Sequence, residues 1–205
     1  MTMVLGQEVH ITRANIYKVL SHLYYQPVKE TRELLHQLRE IMMQYNLSLI
    51  GQVEEMTKDF QANEDNLIPL QVEHAKLFIG PFDVLASPYS SVYLDGERRV
   101  MGDSTEIALH YYREAGLSMD NHFLELPDHI SVEFEFMYYL IFKAIENSDP
   151  LYDDLQKRFL LSHLGVWIPQ FTDRIVERAT TTFYKVLGEI TNIFINHELQ
   201  RISEN

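Results

Sequence analysis

The sequence predicts an all-α fold, a single globular domain over residues 1–205 with about nine helices and a long aromatic loop. Three observations predict it. Apolar residues recur at helical spacing in nearly every long segment. No run alternates apolar and polar residues as a half-buried strand would. No linker rich in glycine, serine or proline divides the chain, and 205 residues suffice for one core.

In chain order, Thr12 reads as an N-cap for a first helix carrying Ile16, Val19, Leu20, Leu23 and Tyr24, which Pro27 stops. Thr31 opens a second, with Leu34, Leu35, Leu38, Ile41, Met42 and Tyr45 on one face. A third carries Leu49, Val53, Met56 and Phe60, then gives way to the polar stretch Gln61 to Asn66. Pro69 suits the first turn of a fourth helix, which buries Val72, Ala75 and Leu77 to Ile79 and ends at Gly80-Pro81. From Gly80 to Gly102 there is no helical repeat, but there are three aromatics, Phe82, Tyr89 and Tyr93. Ser91 to Leu94 reads as locally extended. Loops this long inside a compact domain are usually functional.

Asp103-Ser104-Thr105-Glu106 is N-cap chemistry for a helix through Ile107, Ala108, Tyr111, Tyr112 and Ala115, closing at Gly116. After Leu117 to Leu126, Pro127-Asp128-His129 resembles a helix start. Behind it lies the most apolar helix, with Ile130, Phe134, Met137, Leu140 and Ile141. Asp149 and Pro150 start the next, through Leu155 and Phe159. Gly165 separates a helix with Trp167, Ile168, Phe171 and Ile175. The last follows Thr180 to Thr182, with Phe183, Leu187, Ile190, Phe194 and Leu199.

Composition narrows function. Thirty acidic against seventeen basic residues give a formal charge of −13, which disfavours nucleic acid and anionic lipid and suits basic partners. Arg98-Arg99 and Lys157-Arg158 are too little for a phosphate-binding stripe. Cysteine is absent, which excludes disulfides, thiolate nucleophiles and cysteine-ligated metals. Neither a signal peptide nor a membrane-spanning stretch is present, so the chain is expected to be soluble and cytoplasmic.

The enzyme motifs are missing: there is no GxGxxG, GxxxxGK[ST], GxSxG or HExxH. One ExxH pair, Glu33 and His36, would share a helix face. It is either an ordinary exposed face or half of a metal site that needs further carboxylates. Asp128-His129 could be an acid–base pair or a helix cap. Phe82, Tyr89 and Tyr93 could plug the loop onto the helices or line a groove for an apolar segment of another chain.

The run Glu73-His74-Ala75-Lys76-Leu77-Phe78-Ile79-Gly80-Pro81-Phe82 resembles the LFxGP signature of the TorD/DmsD family of redox-enzyme maturation chaperones. So do Ser87-Pro88-Tyr89-Ser90-Ser91-Val92-Tyr93-Leu94-Asp95, Gly102-Asp103-Ser104-Thr105 and Leu126-Pro127-Asp128-His129, in the family's order. The C-terminal stretch Phe183 to Glu189 is also similar, and the set most resembles the DmsD branch. The resemblance implies an all-helical fold, no enzymatic activity and no cofactor. It implies binding of the twin-arginine leader of a molybdoenzyme catalytic subunit, dimethylsulfoxide reductase-like, whose export is held back until folding and cofactor loading are complete.

Transient contact with the export machinery, and a monomer or helix-swapped dimer, belong to the same expectation. By resemblance, the peptide-binding residues are Leu77, Phe78, Phe82, Tyr89, Tyr93, Gly102, Asp128 and His129. Relatives often carry tryptophan where this chain has His74, Phe82, Tyr89 and Tyr93. Such a leader has a basic n-region and an apolar h-region, so carboxylates beside an apolar groove would suit it. The alternatives are a NarJ-type assembly factor for a nitrate reductase, or a helical metal-dependent enzyme using Glu33 and His36.

Overall fold

The computed structural model describes residues 2–45, 48–80, 84–96, 100–118 and 125–204, with side chains from residue 7 onward. Phe82 and the Arg98-Arg99 pair therefore lie outside the described residues. Nine helices of seven or more residues are present among them, and no strand. They are α1 (Thr2–Leu23), α2 (Thr31–Gln44), α3 (Ile50–Ala62), α4 (Ile68–His74), α6 (Asp103–Glu114), α7 (Ile130–Asn147), α8 (Pro150–Phe159), α9 (Gly165–Arg178) and α10 (Thr182–Ser203). A single turn, α5 (Ser91–Leu94), lies inside the aromatic loop. Two π-type turns, Ala75–Ile79 and Leu160–Leu164, continue α4 and join α8 to α9.

Most of the apolar stripes pack against one another as their spacing requires, but Val72 and Ile79, expected to be buried on the fourth helix, are exposed, as is Ile107 of α6. Helix α1 lies along α7, α10 against α3 and α9, and α2 against α1 and α3. At the centre, the buried Tyr24 ring touches Phe78, Phe134 and Phe171 with centroids 5.4–6.2 Å apart. Edge and tilted contacts of this kind add roughly 0.5–1.5 kcal/mol each beyond area burial.

Four local expectations are corrected. Helix α1 begins ten residues before Thr12, whose hydroxyl instead donates to the Glu8 carbonyl inside the helix at 2.8 Å. Ser91 to Leu94 is helical, not extended. Gly165 does not break the chain into two helices; the π turn carries α8 directly into α9. The glycine is there for packing, because a Cβ would press on the Leu160 carbonyl and on Leu199 of α10. Helix α6 is not capped by its own Asp103: Asp95 accepts from the Ser104 N–H at 3.2 Å and from the Ser104 hydroxyl. By contrast, Asp149 caps α8 ahead of Pro150, accepting from Leu151 N at 2.9 Å.

Candidate functional site

The aromatic loop returns to the helices through main-chain bonds that link three of the sequence motifs, and through the Asp95 side chain to the fourth. Ala86 N donates to the Leu77 carbonyl at 2.8 Å, laying the loop on the first π turn. Ser90 N donates to Asp128 O at 3.0 Å and Ile130 N to Pro88 O at 2.8 Å, so Tyr89 and His129 face each other in a short antiparallel bridge. Asp95 then reaches the start of α6 beside Gly102. A Cβ at position 102 would collide with the Asp95 carboxylate, so this close approach requires glycine.

Within this junction Asp128 is fully buried. Its Oδ2 accepts from Ser91 N at 3.2 Å and from the Ser91 hydroxyl at 2.6 Å, while Oδ1 has no partner among the described residues. Asp128 is thus a cap, but of α5. His129 is the N-cap of α7, where Nδ1 accepts from Ser131 N at 3.2 Å, which places the ring proton of the neutral form on Nε2. Burial holds the His129 pKa down to about 4, although Glu125 and Asp128 pull it upward. The ring is therefore neutral near pH 7.

The aromatic side chains divide into two groups. Leu77 and Phe78 are packed in the core, Phe78 among Tyr24, His74, Phe171 and Tyr184. They hold the floor beneath the loop and are not presented on a surface. Tyr93, half-buried, lies on Trp167 with centroids 5.5 Å apart, and the Arg174 guanidinium sits 4.6 Å from its centroid. Tyr89 is half-buried, its edge against His129 at 5.2 Å and its hydroxyl donating to Glu125 at 3.0 Å. Burial first, and Glu125 second, push that phenol upward. His74 is buried; its Nε2–H donates to the Tyr24 carbonyl at 3.1 Å.

Sequence reasoning missed what lies behind and beside these residues. Glu133, fully buried on α7, accepts from His163 Nε2 at 2.6 Å and from Trp167 Nε1 at 2.9 Å. Burial raises the Glu133 carboxyl, and Glu133 raises the His163 imidazole against the opposing effect of burial. A signal existed: position 133 falls between Ile130, Phe134 and Met137 on the core stripe, where a carboxylate needs partners. Tyr25, just past α1, stacks on His129 and carries no sequence signal.

Glu33 and His36 lie exposed on α2, and no cluster of three or more His, Asp or Glu side chains is placed for a metal among the described residues. No helix among them is long and apolar enough to cross a membrane.

The described residues form an all-helical scaffold in which a buried polar junction anchors an aromatic loop. Residues 28–173 match the model of the nitrate reductase delta subunit family, and the chain belongs to that family, the group of TorD- and DmsD-type chaperones for molybdoenzyme maturation. It is a chaperone and not an enzyme. It is 24% identical to the chaperone protein TorD of Shewanella loihica, over 93% of this chain and 92% of that one. To TorD of Aliivibrio salmonicida it is 25% identical, with 92% and 93% covered. The Tat proofreading chaperone DmsD of Salmonella typhi is 30% identical over 58% of this chain and 54% of its own. In fold it resembles a proposed redox enzyme maturation protein from Archaeoglobus fulgidus, at TM-score 0.60 and 23% identity, with 89% and 93% covered.

Proposed function

We propose that the protein is a cytoplasmic chaperone that binds the twin-arginine leader of a molybdoenzyme catalytic subunit, dimethylsulfoxide reductase-like, before export. The observation that carries this reading is the Tyr89–His129 junction, which joins two of the family motifs, while Ala86–Leu77 and Asp95–Ser104 bonds tie the other two to the same loop. The name of the DmsD relative, a Tat proofreading chaperone, supports it, as does the charge of −13, which attracts a basic n-region. Ile79, Val84 and Leu85 are exposed where the loop returns to the π turn, and offer apolar surface for the h-region.

In this assignment Tyr89 and His129 contact the peptide, and Phe82, outside the described residues, stays a candidate by resemblance. Leu77, Phe78, Tyr93, Gly102 and Asp128 act by shaping and holding the loop. The NarJ-type reading is favoured by one observation, the nitrate reductase description of the family model. Calorimetry distinguishes the two. A twin-arginine leader is expected to bind near one-to-one and to weaken as salt rises, since screening reduces the ionic part and spares the apolar part. Binding of a leaderless nitrate reductase N-terminal peptide in preference to the leader would overturn the export reading.

A further inference from the structure

Asp128, a peptide-binding residue by resemblance, is fully buried and already bonded to Ser91. The chemistry that a guanidinium needs lies one layer further out. Tyr25 is 36% exposed, and its ring lies nearly parallel to the His129 imidazole, 16° between planes with centroids 6.0 Å apart. Tyr89 closes on the same imidazole edge-on and donates to Glu125. Glu125 and Glu135 are both half-buried and both act on the Tyr25 phenol, which is raised by burial first and then by these two carboxylates.

Neither carboxylate takes part in an ion pair among the described residues. His129 does not supply the missing charge, because its ring is neutral near pH 7. Lys18 of α1 lies over the Tyr138 ring of α7, 5.2 Å from its centroid. The Ser131 hydroxyl, next to the N–H that His129 caps, is buried with no hydrogen-bond partner among the described residues. Flat aromatic faces beside unpaired carboxylates match a planar, always-charged fork that stacks and accepts bidentate pairing; a compact ammonium gains less there.

We propose that Tyr25, Tyr89, Glu125 and Glu135, around the His129 ring, form a subsite for an arginine side chain of the bound peptide. This rests on the leader-binding reading and assigns its charged half to residues outside the recognised motifs.

The test uses three synthetic peptides that share a leucine-rich segment and differ in the pair ahead of it: Arg-Arg, Lys-Lys or Gln-Gln. The parent chain should bind them in that order. Glu125→Gln and Glu135→Gln should each weaken the Arg-Arg peptide by about tenfold, as expected for a lost charge-assisted bond, with the Gln-Gln peptide unchanged. Tyr25→Leu should erase the preference for arginine over lysine, and Tyr25→Phe should keep it. Circular dichroism melts confirm that each variant is folded. Variants that bind the Arg-Arg peptide like the parent, or that weaken all three peptides equally, would overturn the subsite and leave the leader reading standing. A parent that binds none of the peptides overturns both, and a parent that prefers lysine overturns the guanidinium assignment alone.

Discussion

Asp128 and Ser91 are bonded across 37 residues of sequence: the Asp128 carboxylate takes the Ser91 hydroxyl at 2.6 Å and its backbone N–H at 3.2 Å. The pair ties the entry of α7 to the turn that carries Tyr93. Because the same segment also exchanges main-chain bonds through Ser90, Pro88 and Ile130, the loop cannot shift without unmaking a buried polar junction. Buried junctions of this kind are stable only when intact.

Asp128→Ala should therefore act through the loop. It leaves the Ser91 N–H and hydroxyl buried without an acceptor, a loss of about 1–3 kcal/mol. Asp128→Asn keeps an acceptor oxygen and should lose less than half of that. Urea denaturation separates the two. Equal stabilities for parent and alanine variant would show that the junction contributes nothing.

Gly102→Ala is the corresponding probe of α6. The added methyl must push the Asp95 carboxylate off the Ser104 N–H, and losing a cap costs about 0.5–2 kcal/mol. In an Asp95→Ala background the collision disappears with the carboxylate. The two changes should accordingly be strongly non-additive in a double-mutant cycle. Additive losses would place the role of Gly102 elsewhere.

What the sequence makes legible follows the range of the physics. The stripes of α2, α7 and α10 are readable because burial of one helix face is a periodic, local constraint. The Asp149–Pro150 start of α8 is readable because cap and helix are adjacent. Thr12 misleads because a threonine inside a helix can bond back to its own preceding turn, as it does to Glu8. Asp103 misleads because the cap comes from Asp95, across a loop whose path no local pattern specifies. The candidate site shows the same division: its motifs mark the loop and the α7 entry, while Tyr25 and the buried Glu133 with His163 join it only through tertiary packing.

Acid should destabilise the fold through His129. Its pKa is about 4 when folded and near 6.5 when unfolded, so between those values the unfolded chain binds more protons. The associated stability is complete above pH 6.5 and is lost as pH falls toward about 4, by up to roughly 3 kcal/mol. His129→Asn keeps an N-cap acceptor for Ser131 while removing the titration. Unfolding free energies measured from about pH 7.5 down to about 4.5 should fall less steeply for the variant. Parallel curves would mean that other groups carry the acid limb.

At the α1–α10 contact, Arg13 and Glu198 form a fully buried ion pair, Nη2 to Oε2 at 2.7 Å, that also takes in Gln156, Tyr17 and Tyr45. Burial alone would raise the Glu198 carboxyl, but Arg13 and, behind it, Arg201 outweigh it and hold the group below the usual carboxylate range. Removing Arg13 leaves the buried Glu198 with only the part-exposed Arg201, Nε to Oε1 at 3.2 Å, as counter-charge, so Arg13→Met should cost about 3 kcal/mol, the low end for a broken buried pair. Glu198→Gln should cost less, since the amide oxygen still accepts from Arg13 even though the guanidinium loses its counter-charge. The double variant Arg13→Met with Glu198→Met removes both charges and fills the space, and should recover most of the loss. Leader affinity of the folded protein should stay within about twofold of the parent in the double variant, because the pair stabilises helix packing and is not part of the Tyr89–His129 junction. Denaturation and calorimetry on the same samples check both halves. A double variant no more stable than Arg13→Met would mean that the charges themselves, and not their imbalance, hold α1 to α10.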